Sequence, residues 1–487
     1  MNQGLMLNAC GLKDALRDSC KQKNKIKRIL LGGVSEMKSR KVLVLGTGKS
    51  GICATKQILS LGGEVILYDS NAELDKLQLL KNFDKKAQVT VIAGELKPAD
   101  LIQVDLAVIS PGIPLDKPFV KMLDTAKIPI WGEIELAYQS SKGKLCAVTG
   151  TNGKTTTVSL IGEILQEEYE DTHICGNIGN PYTAEALETK DDSATVLEVS
   201  SFQLETIMDF HPHVSCITNI TPDHLDRHKT MKNYARVKEG IALNQTEEDY
   251  IVLNYDDPEL KKFGKRKSLK PKVIWFSTSH ILKQGLYYKE PNIHYVNDGT
   301  DEVLLDVHET NLLGAHNYEN IMCAIAVCMH MDVPMKKILK AVKNFKPVEH
   351  RIEFVRERNG VRYYNDSKGT NPDAAIKALL AMPGPTILIG GGYDKEIPFD
   401  DWCKLFEGRV KYLILIGQTR NIIADCAKKY GFTNVVFAED MEEAVKAGAA
   451  YAEAGDYVLL SPACASWGMF KNFEERGRIF KECVNAL

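Results

Sequence analysis

The sequence predicts an α/β protein of three domains built on parallel, doubly wound sheets, and three observations point there. The chain has 487 residues, and at roughly 100–200 residues per domain that length calls for about three. From Lys41 onward, short runs rich in β-branched and aliphatic residues alternate with helical segments, the pattern of βαβ units. Two glycine-rich turns, Gly46–Gly51 and Gly150–Gly153, each fall between an apolar run and a helix.

The elements follow in order. Residues 1–36 stand apart: Lys21–Arg28 is basic, Ile29–Leu31 is too short for a signal-peptide core, and no small-residue cleavage pattern follows. Met37 directly precedes the first strand, and Gly32-Gly33 would be encoded by GGN-GGN just upstream, as a ribosome-binding site would be. Translation is therefore expected to start at Met37, the alternative being a genuine flexible basic tail. A first domain, 37–140, carries strands at Lys41–Leu45, Glu64–Tyr68, Val89–Ile92 and Leu106–Ser110. A second, 141–346, carries Leu145–Thr149, Thr195–Val199, Val214–Ile220 and Tyr250–Asn254, then a β-rich stretch Val273–Leu305 and a buried helix Asn317–Met329. The third, 347–487, opens with Arg351–Val355 and Val361–Tyr364 around Asn359-Gly360, a tight-hairpin signal. It continues with Thr386–Ile389, Lys411–Ile416, Asn434–Phe437 and Tyr457–Leu460.

Composition narrows the function. Apolar residues are 44% and charged residues 26% of the chain, and Lys plus Arg (61) nearly balances Asp plus Glu (64). No overall basic field exists to hold nucleic acid or an anionic membrane, and no run approaches the ~20 apolar residues of a membrane span. Twelve cysteines are scattered without CxxC pairs or metal-type spacing, which reads as reduced thiols in a cytoplasmic protein.

The strongest chemical signal is Ala147-Val148-Thr149-Gly150-Thr151-Asn152-Gly153-Lys154-Thr155-Thr156. Backbone N–H groups and a helix N-terminus can cradle phosphate there, Lys154 can reach the β/γ oxygens, and the Thr155 hydroxyl can ligate Mg²⁺. The spacing is shorter than GxxxxGK[ST], since Val148 occupies the position five before Gly153. Gly46-Thr47-Gly48-Lys49-Ser50-Gly51, with Asp69 closing the next strand, matches a dinucleotide fingerprint. Alone it would suggest NAD, another nucleotide, or a close-packed turn with no ligand. Glu198 and Ser200 end a strand on the loop side, where a carboxylate can hold Mg²⁺. His224 follows another strand in a polar run and Lys238 lies 14 residues on. Asn317 and Asn320 share one helix face, suited to a base edge. His350-Arg351 and Asp366 bracket the hairpin.

In this order the motifs resemble the Mur ligase family, from about Lys41 to the C-terminus. Within it, Ser461–Phe480 (SPACASWGMFKNFEERGRIF), Asn365–Ala375 (NDSKGTNPDAA) and Leu197–Glu205 (LEVSSFQLE) resemble the members that add D-glutamate. Gly468 departs from the Asp expected there. The resemblance implies an N-terminal Rossmann-like domain, a central P-loop ATPase α/β domain and a C-terminal Rossmann-like domain. It implies ATP-dependent ligation of D-glutamate to UDP-N-acetylmuramoyl-L-alanine by a monomer, with two Mg²⁺ ions, in the cytoplasm. By resemblance, Lys49, Ser50, Asp69, Ser70, Ser110, Pro111, Gly112 and Asn177 lie near the UDP substrate, which removes NAD from the first fingerprint. Gly150, Thr151, Asn152, Gly153, Lys154, Thr155, Thr156, Asn317, Asn320, His350, Arg351 and Asp366 would bind ATP. Thr155, Glu198 and Ser200 would serve one Mg²⁺, and His224 with a carbamylated Lys238 the other. Thr370, Lys395, Ser466 and Phe473 would hold D-glutamate. A sister amide ligase of the same family, a folylpolyglutamate synthase and, more distantly, a NAD-dependent dehydrogenase are the rival readings.

Overall fold

A computed structural model describes residues 37–312, 314–346 and 348–487. Residues 1–36, the segment expected to precede the translation start, lie outside the described residues. Three sheets organise the chain.

The first contains β1 (Lys41–Leu45), β2 (Glu64–Asp69), β3 (Val89–Ala93), β4 (Leu106–Ile109) and β5 (Ile130–Gly132) in the order β3-β2-β1-β4-β5, all parallel. Val42 and Val44 pack into one hydrophobic layer and Leu43 and Leu45 into another. A strand buried on both faces needs such a continuous apolar run. The order reverses between β1 and β4, so the turns after these two strands open the crevice where α/β sheets take ligands.

The second sheet has nine strands in the order β14-β13-β12-β11-β10-β9-β6-β8-β7. They are β6 (Lys144–Thr149), β7 (Thr172–Gly176), β8 (Ala194–Glu198), β9 (Val214–Ile217), β10 (Tyr250–Asn254), β11 (Lys272–Ser277), β12 (Gly285–Lys289), β13 (Asn292–Asn297) and β14 (Thr300–Asp306). Here β6 lies between β8 and β9, parallel to both. The β-rich stretch of the sequence becomes an antiparallel meander, β12-β13-β14, that extends the sheet edge. The third sheet holds β15 (Glu353–Arg358), β16 (Val361–Asn365), β17 (Thr386–Gly390), β18 (Val410–Leu415), β19 (Val435–Phe437) and β20 (Tyr457–Leu460). Its order is β15-β16-β20-β17-β18-β19, parallel except for the β15–β16 hairpin.

Two strands end or begin short of the sequence expectation by more than one residue. Strand β9 stops at Ile217, because the Thr218 N–H and hydroxyl turn to Thr149 and Asn152 carbonyls. Strand β15 starts at Glu353, because His350 (φ 65°) and Ile352 (φ 45°) are not extended. Strands β5 and β7 were not anticipated. Ten cysteines among the described residues are free, and among those residues no helix is long and apolar enough to cross a membrane.

Two compact units result: residues 37–143 with 175–193 and 202–210, and residues 144–174 with 194–201 and 211–487. The first unit gathers its two excursions on the short helix Glu133–Tyr138. Buried Glu133 accepts from the Thr183 N–H (2.7 Å) and hydroxyl (2.9 Å). Glu135 accepts from the N–H groups of Met208, Asp209 and Phe210. Central and C-terminal sheets belong together in the second unit.

Candidate active site

In the first unit, the candidate residues sit at the C-terminal ends of β1, β2 and β4, with Asn177 directly after β7. The Thr47 hydroxyl donates to Asp69 (2.6 Å), and the Lys49 ammonium donates to the Gly179 carbonyl (2.7 Å). The Ser110 hydroxyl is buried with no hydrogen-bond partner among the described residues, an orphaned donor at the mouth of the switch-point crevice. Ser50 and Pro111 are half-buried, and Ser70, Gly112 and Asn177 are exposed. Thr47 was not anticipated, although it lies within the glycine-rich turn.

In the second unit the phosphate loop leaves β6 at Thr149 and enters the helix Lys154–Gln166. Gly153 has φ 86°, and a Cβ there would stand 2.4 Å from the Asn320 side-chain oxygen. Only glycine lets the loop meet the helix Ala315–Met329 this closely. The end of β9 holds the loop: Asn219 accepts from the Asn152 N–H (2.9 Å), and the Thr218 hydroxyl donates to the Asn152 carbonyl (2.6 Å).

Four charged groups meet around the loop. Lys154 donates to the carbonyls of Gly150 (3.0 Å) and Thr151 (2.8 Å). The Thr155 hydroxyl donates to Glu198 (2.8 Å), which ends β8. Lys238, 2% exposed, donates to the Gly150 carbonyl at 2.7 Å. Burial, with Lys154 nearby, pushes the Lys238 ammonium well below the ordinary lysine range. From the third sheet comes Lys368, whose ammonium donates to the Thr155 hydroxyl at 2.6 Å. Burial pushes it down to about 8, with Glu198 opposing.

His224, in the left-handed conformation (φ 52°), places Nε2 3.7 Å from Asp223. Burial lowers its pKa, with Asp223 opposing. Asp223 also faces Lys395 at 3.6 Å and Asn371 at 3.5 Å. Burial alone would raise the Asp223 carboxyl, but Lys395, His224 and Lys154 outweigh it and hold it below the carboxylate range.

A cleft beside the loop is lined by Asn152, Gly153, Asn320, His316, Arg351 and Asp366, among others. Among the described residues, two of its lining groups carry buried polar atoms with no hydrogen bond, His316 Nε2 and Asp366 Oδ1, the latter facing Arg351 at 4.0 Å. Burial pushes the His316 imidazole down to about 3 and the Asp366 carboxyl up to about 6, the latter opposed by Arg351. Orphaned donors and acceptors beside a phosphate loop fit a nucleoside triphosphate, which would satisfy them. Asn317 is buried and orients Asn320 by accepting its amide N–H (3.0 Å).

The C-terminal ends of β16, β17 and β20 supply the remaining candidates. Thr370 is half-buried, Ser466 is 4% exposed, and Lys395 turns to Asp223. The Phe473 ring lies under Lys368 (5.2 Å) and edge-on to His350 (6.2 Å). His350 itself does not line the cleft. Its ring is packed inside the C-terminal part, where Nδ1 meets the Asn365 amide at 2.9 Å. With Glu349 and Glu353 it forms a cluster of metal-type spacing, but Lys481 pairs with both glutamates.

Lys368, Asp223, Asn371, Asp373 and His316 were not singled out from the sequence. All lie inside runs that were, so the motifs were visible and the side chains that turn inward were not. Asp373 accepts from the Asn152 amide at 2.5 Å.

Family models match all three segments: a Mur ligase MurD-like N-terminal domain over 40–132, a Mur ligase middle domain over 148–328, and a Mur ligase glutamate ligase domain over 350–464. The UDP-N-acetylmuramoylalanine–D-glutamate ligase of Lachnospira eligens is 53% identical over 93% of this chain and 100% of its own length. That of Lachnoclostridium phytofermentans is 50% identical over 92% of this chain and 98% of its own. Among solved structures, a pseudomurein peptide ligase type C from Methanothermus fervidus shares the fold at TM-score 0.59 and 18% identity, covering 92% of this chain and 100% of its own. The UDP-N-acetylmuramate–alanine ligase of Thermotoga maritima does so at 0.57 and 18%, covering 92% and 99%. The chain belongs to the Mur ligase family, among its UDP-N-acetylmuramoylalanine–D-glutamate ligases.

Proposed function

We propose that the chain joins D-glutamate to UDP-N-acetylmuramoyl-L-alanine, converting ATP to ADP and phosphate, as a monomer in the cytoplasmic synthesis of peptidoglycan precursors. The observation that carries this reading is the meeting of Lys368, from the C-terminal sheet, with the Thr155–Glu198 pair of the phosphate loop at 2.6 Å. An acceptor-binding domain is thereby joined to a phosphoryl-transfer site.

A carboxylate does not accept an amine in water near neutral pH, so its oxygen must first become a leaving group. Phosphoryl transfer makes an acyl phosphate, the D-glutamate amine attacks the carbonyl, and the tetrahedral intermediate collapses to amide and phosphate. Carboxylate and triphosphate repel each other. Lys154 and Lys368, both beside the Thr155 end of the loop, offset that charge and hold the groups in line. Asp366, Arg351, Asn320 and Asn317 are assigned to the nucleoside side, where a ligand would complete the hydrogen bonding of Asp366 Oδ1. Lys395, Thr370, Ser466 and Phe473 are assigned to D-glutamate, with Lys395 exchanging Asp223 for a substrate carboxylate.

The oxygen donors of Thr155, Glu198 and Ser200 suit a hard divalent cation. His224 and a carbamylated Lys238 would hold a second. A divalent cation bound by these residues would supply further neutralisation of the transferring phosphoryl group. Carbamylation suits Lys238 because its burial favours the neutral amine, the form that condenses with carbon dioxide.

The test is ADP release from ATP with UDP-N-acetylmuramoyl-L-alanine and one of D-glutamate, L-glutamate, L-lysine or meso-diaminopimelate. Release with D-glutamate alone is expected. Equal release with another amino acid would reassign the acceptor, and none with any would remove the ligase reading.

A further inference from the structure

One buried charge takes no part in the chemistry above. Arg476 lies in the first turn of the helix Phe473–Ala486 and is 0% exposed. Among the described residues no carboxylate lies within ion-pair distance of it. Its guanidinium donates only to neutral acceptors: Nε to the Ser367 hydroxyl (3.0 Å), one terminal nitrogen to the Ser367 carbonyl (2.7 Å), and the other to the Cys464 carbonyl (3.1 Å). The Ser367 hydroxyl passes the chain on to the Phe473 carbonyl (2.8 Å).

These contacts fall between the candidate acceptor residues. Ser367 is next to Lys368 and three before Thr370, Cys464 is two before Ser466, and Phe473 begins the helix that carries Arg476. A single rigid, forked cation thus ties three separate chain segments, each bearing a proposed D-glutamate contact. A buried cation with no ion-pair contact is costly unless it is fully hydrogen-bonded; the Asp366 carboxylate offsets its charge only from beyond contact distance, so part of its positive potential reaches the surrounding segments.

Resting on the reading of D-glutamate as acceptor, we propose that Arg476 is a positioning residue of the acceptor site. It fixes the 367–370 and 464–466 segments in register and adds positive charge behind the pocket, so that the site favours a dicarboxylate over its γ-amide. Planar bidentate geometry makes arginine the fitting residue, because a lysine can reach only part of this acceptor set.

Steady-state kinetics of Arg476→Lys and Arg476→Gln in the full chain test this, with thermal melts to confirm folding. D-Glutamate KM should rise about 10-fold in Arg476→Lys, which keeps the charge, and on the order of 100-fold in Arg476→Gln. ATP KM should stay within about 3-fold in both. The kcat/KM preference for D-glutamate over D-glutamine should survive in the lysine variant and fall about 10-fold in the glutamine variant. Should Arg476→Gln not fold, Ser367→Ala, which removes one acceptor and keeps the charge, should raise D-glutamate KM without changing that preference. Folded variants with wild-type D-glutamate KM and selectivity, or with all substrate KM values raised alike, would overturn the proposal. A wild-type chain that releases no ADP with D-glutamate would instead sink the ligase reading on which it rests.

Discussion

Asp366 shows how a single residue can be fitted for ligand rather than for stability. Its carboxyl is fully buried, with Oδ2 held by the Ser461 hydroxyl at 2.8 Å and Oδ1 facing the Arg351 guanidinium at 4.0 Å. Burial raises its pKa from 3.8 to about 6. An acid whose folded pKa exceeds its unfolded one binds its proton more tightly when folded. Its penalty is therefore absent below about pH 4, grows as pH rises to about 6, and is complete above. The difference of about two units corresponds to roughly 3 kcal/mol at most. Asp366→Asn should melt higher than the wild type at pH 7.5, the gain should vanish near pH 4, and ATP KM should rise by about 10-fold or more. A variant that melts lower at pH 7.5 would show that the charge is stabilised in place. Lys238 poses the complementary case, a buried amine against the Gly150 carbonyl. Lys238→Ala should lose turnover by orders of magnitude, with partial recovery in millimolar acetate or formate; full activity without rescue would remove its role.

At the scale of elements, the hairpin β15–β16 turns through Asn359 (φ 52°) and Gly360 (φ 75°), both left-handed, as an Asn-Gly turn between strands requires. Gly360→Ala should cost about 1–2 kcal/mol in denaturant unfolding while leaving D-glutamate KM unchanged, since the turn lies away from the β16 end that carries Asp366. A change in KM would mean that the hairpin register reaches the site. This turn was legible because its residue types are dictated locally. So were β1, β10 and β20, whose apolar runs are buried on both faces and match the expected boundaries. Strand β5 was not, since three residues carry no period. Strand β7 reads Thr-His-Ile-Cys-Gly, with polar residues interrupting the apolar pattern, and it sits at the sheet edge. Local sequence also could not show that β9 yields its last residues to the phosphate loop, because that trade is made with a partner about 70 positions away: Thr218 with Thr149 and Asn152.

At the scale of the molecule, the site is a product of topology. Thr155 and Lys368 are 213 positions apart, and Asn152 and Asp373 are 221 apart. Motifs announced that these segments carry chemistry, but which side chains cross from one sheet to the other follows from how the two sheets of the second unit pack. Asp373 is the clearest case. It stands in the first turn of the helix Pro372–Leu380, whose cap Asn371 accepts from the Ala374 N–H at 2.8 Å. That cap aims Asp373 at the central sheet, where it accepts from the Asn152 amide at 2.5 Å and the Thr221 hydroxyl at 3.4 Å. The residue therefore couples the phosphate loop to the acceptor-bearing sheet without belonging to either substrate. Asp373→Ala should raise ATP and D-glutamate KM together, by about 10-fold each, because a charge-assisted bond worth roughly 1.5–3 kcal/mol is lost from an arrangement that both substrates need. The melting temperature should fall by only a few degrees, since neither sheet core is touched. Parallel titrations of the two substrates decide the matter. A defect confined to ATP would make Asp373 a local brace for Asn152, and one confined to D-glutamate would move it into the acceptor pocket.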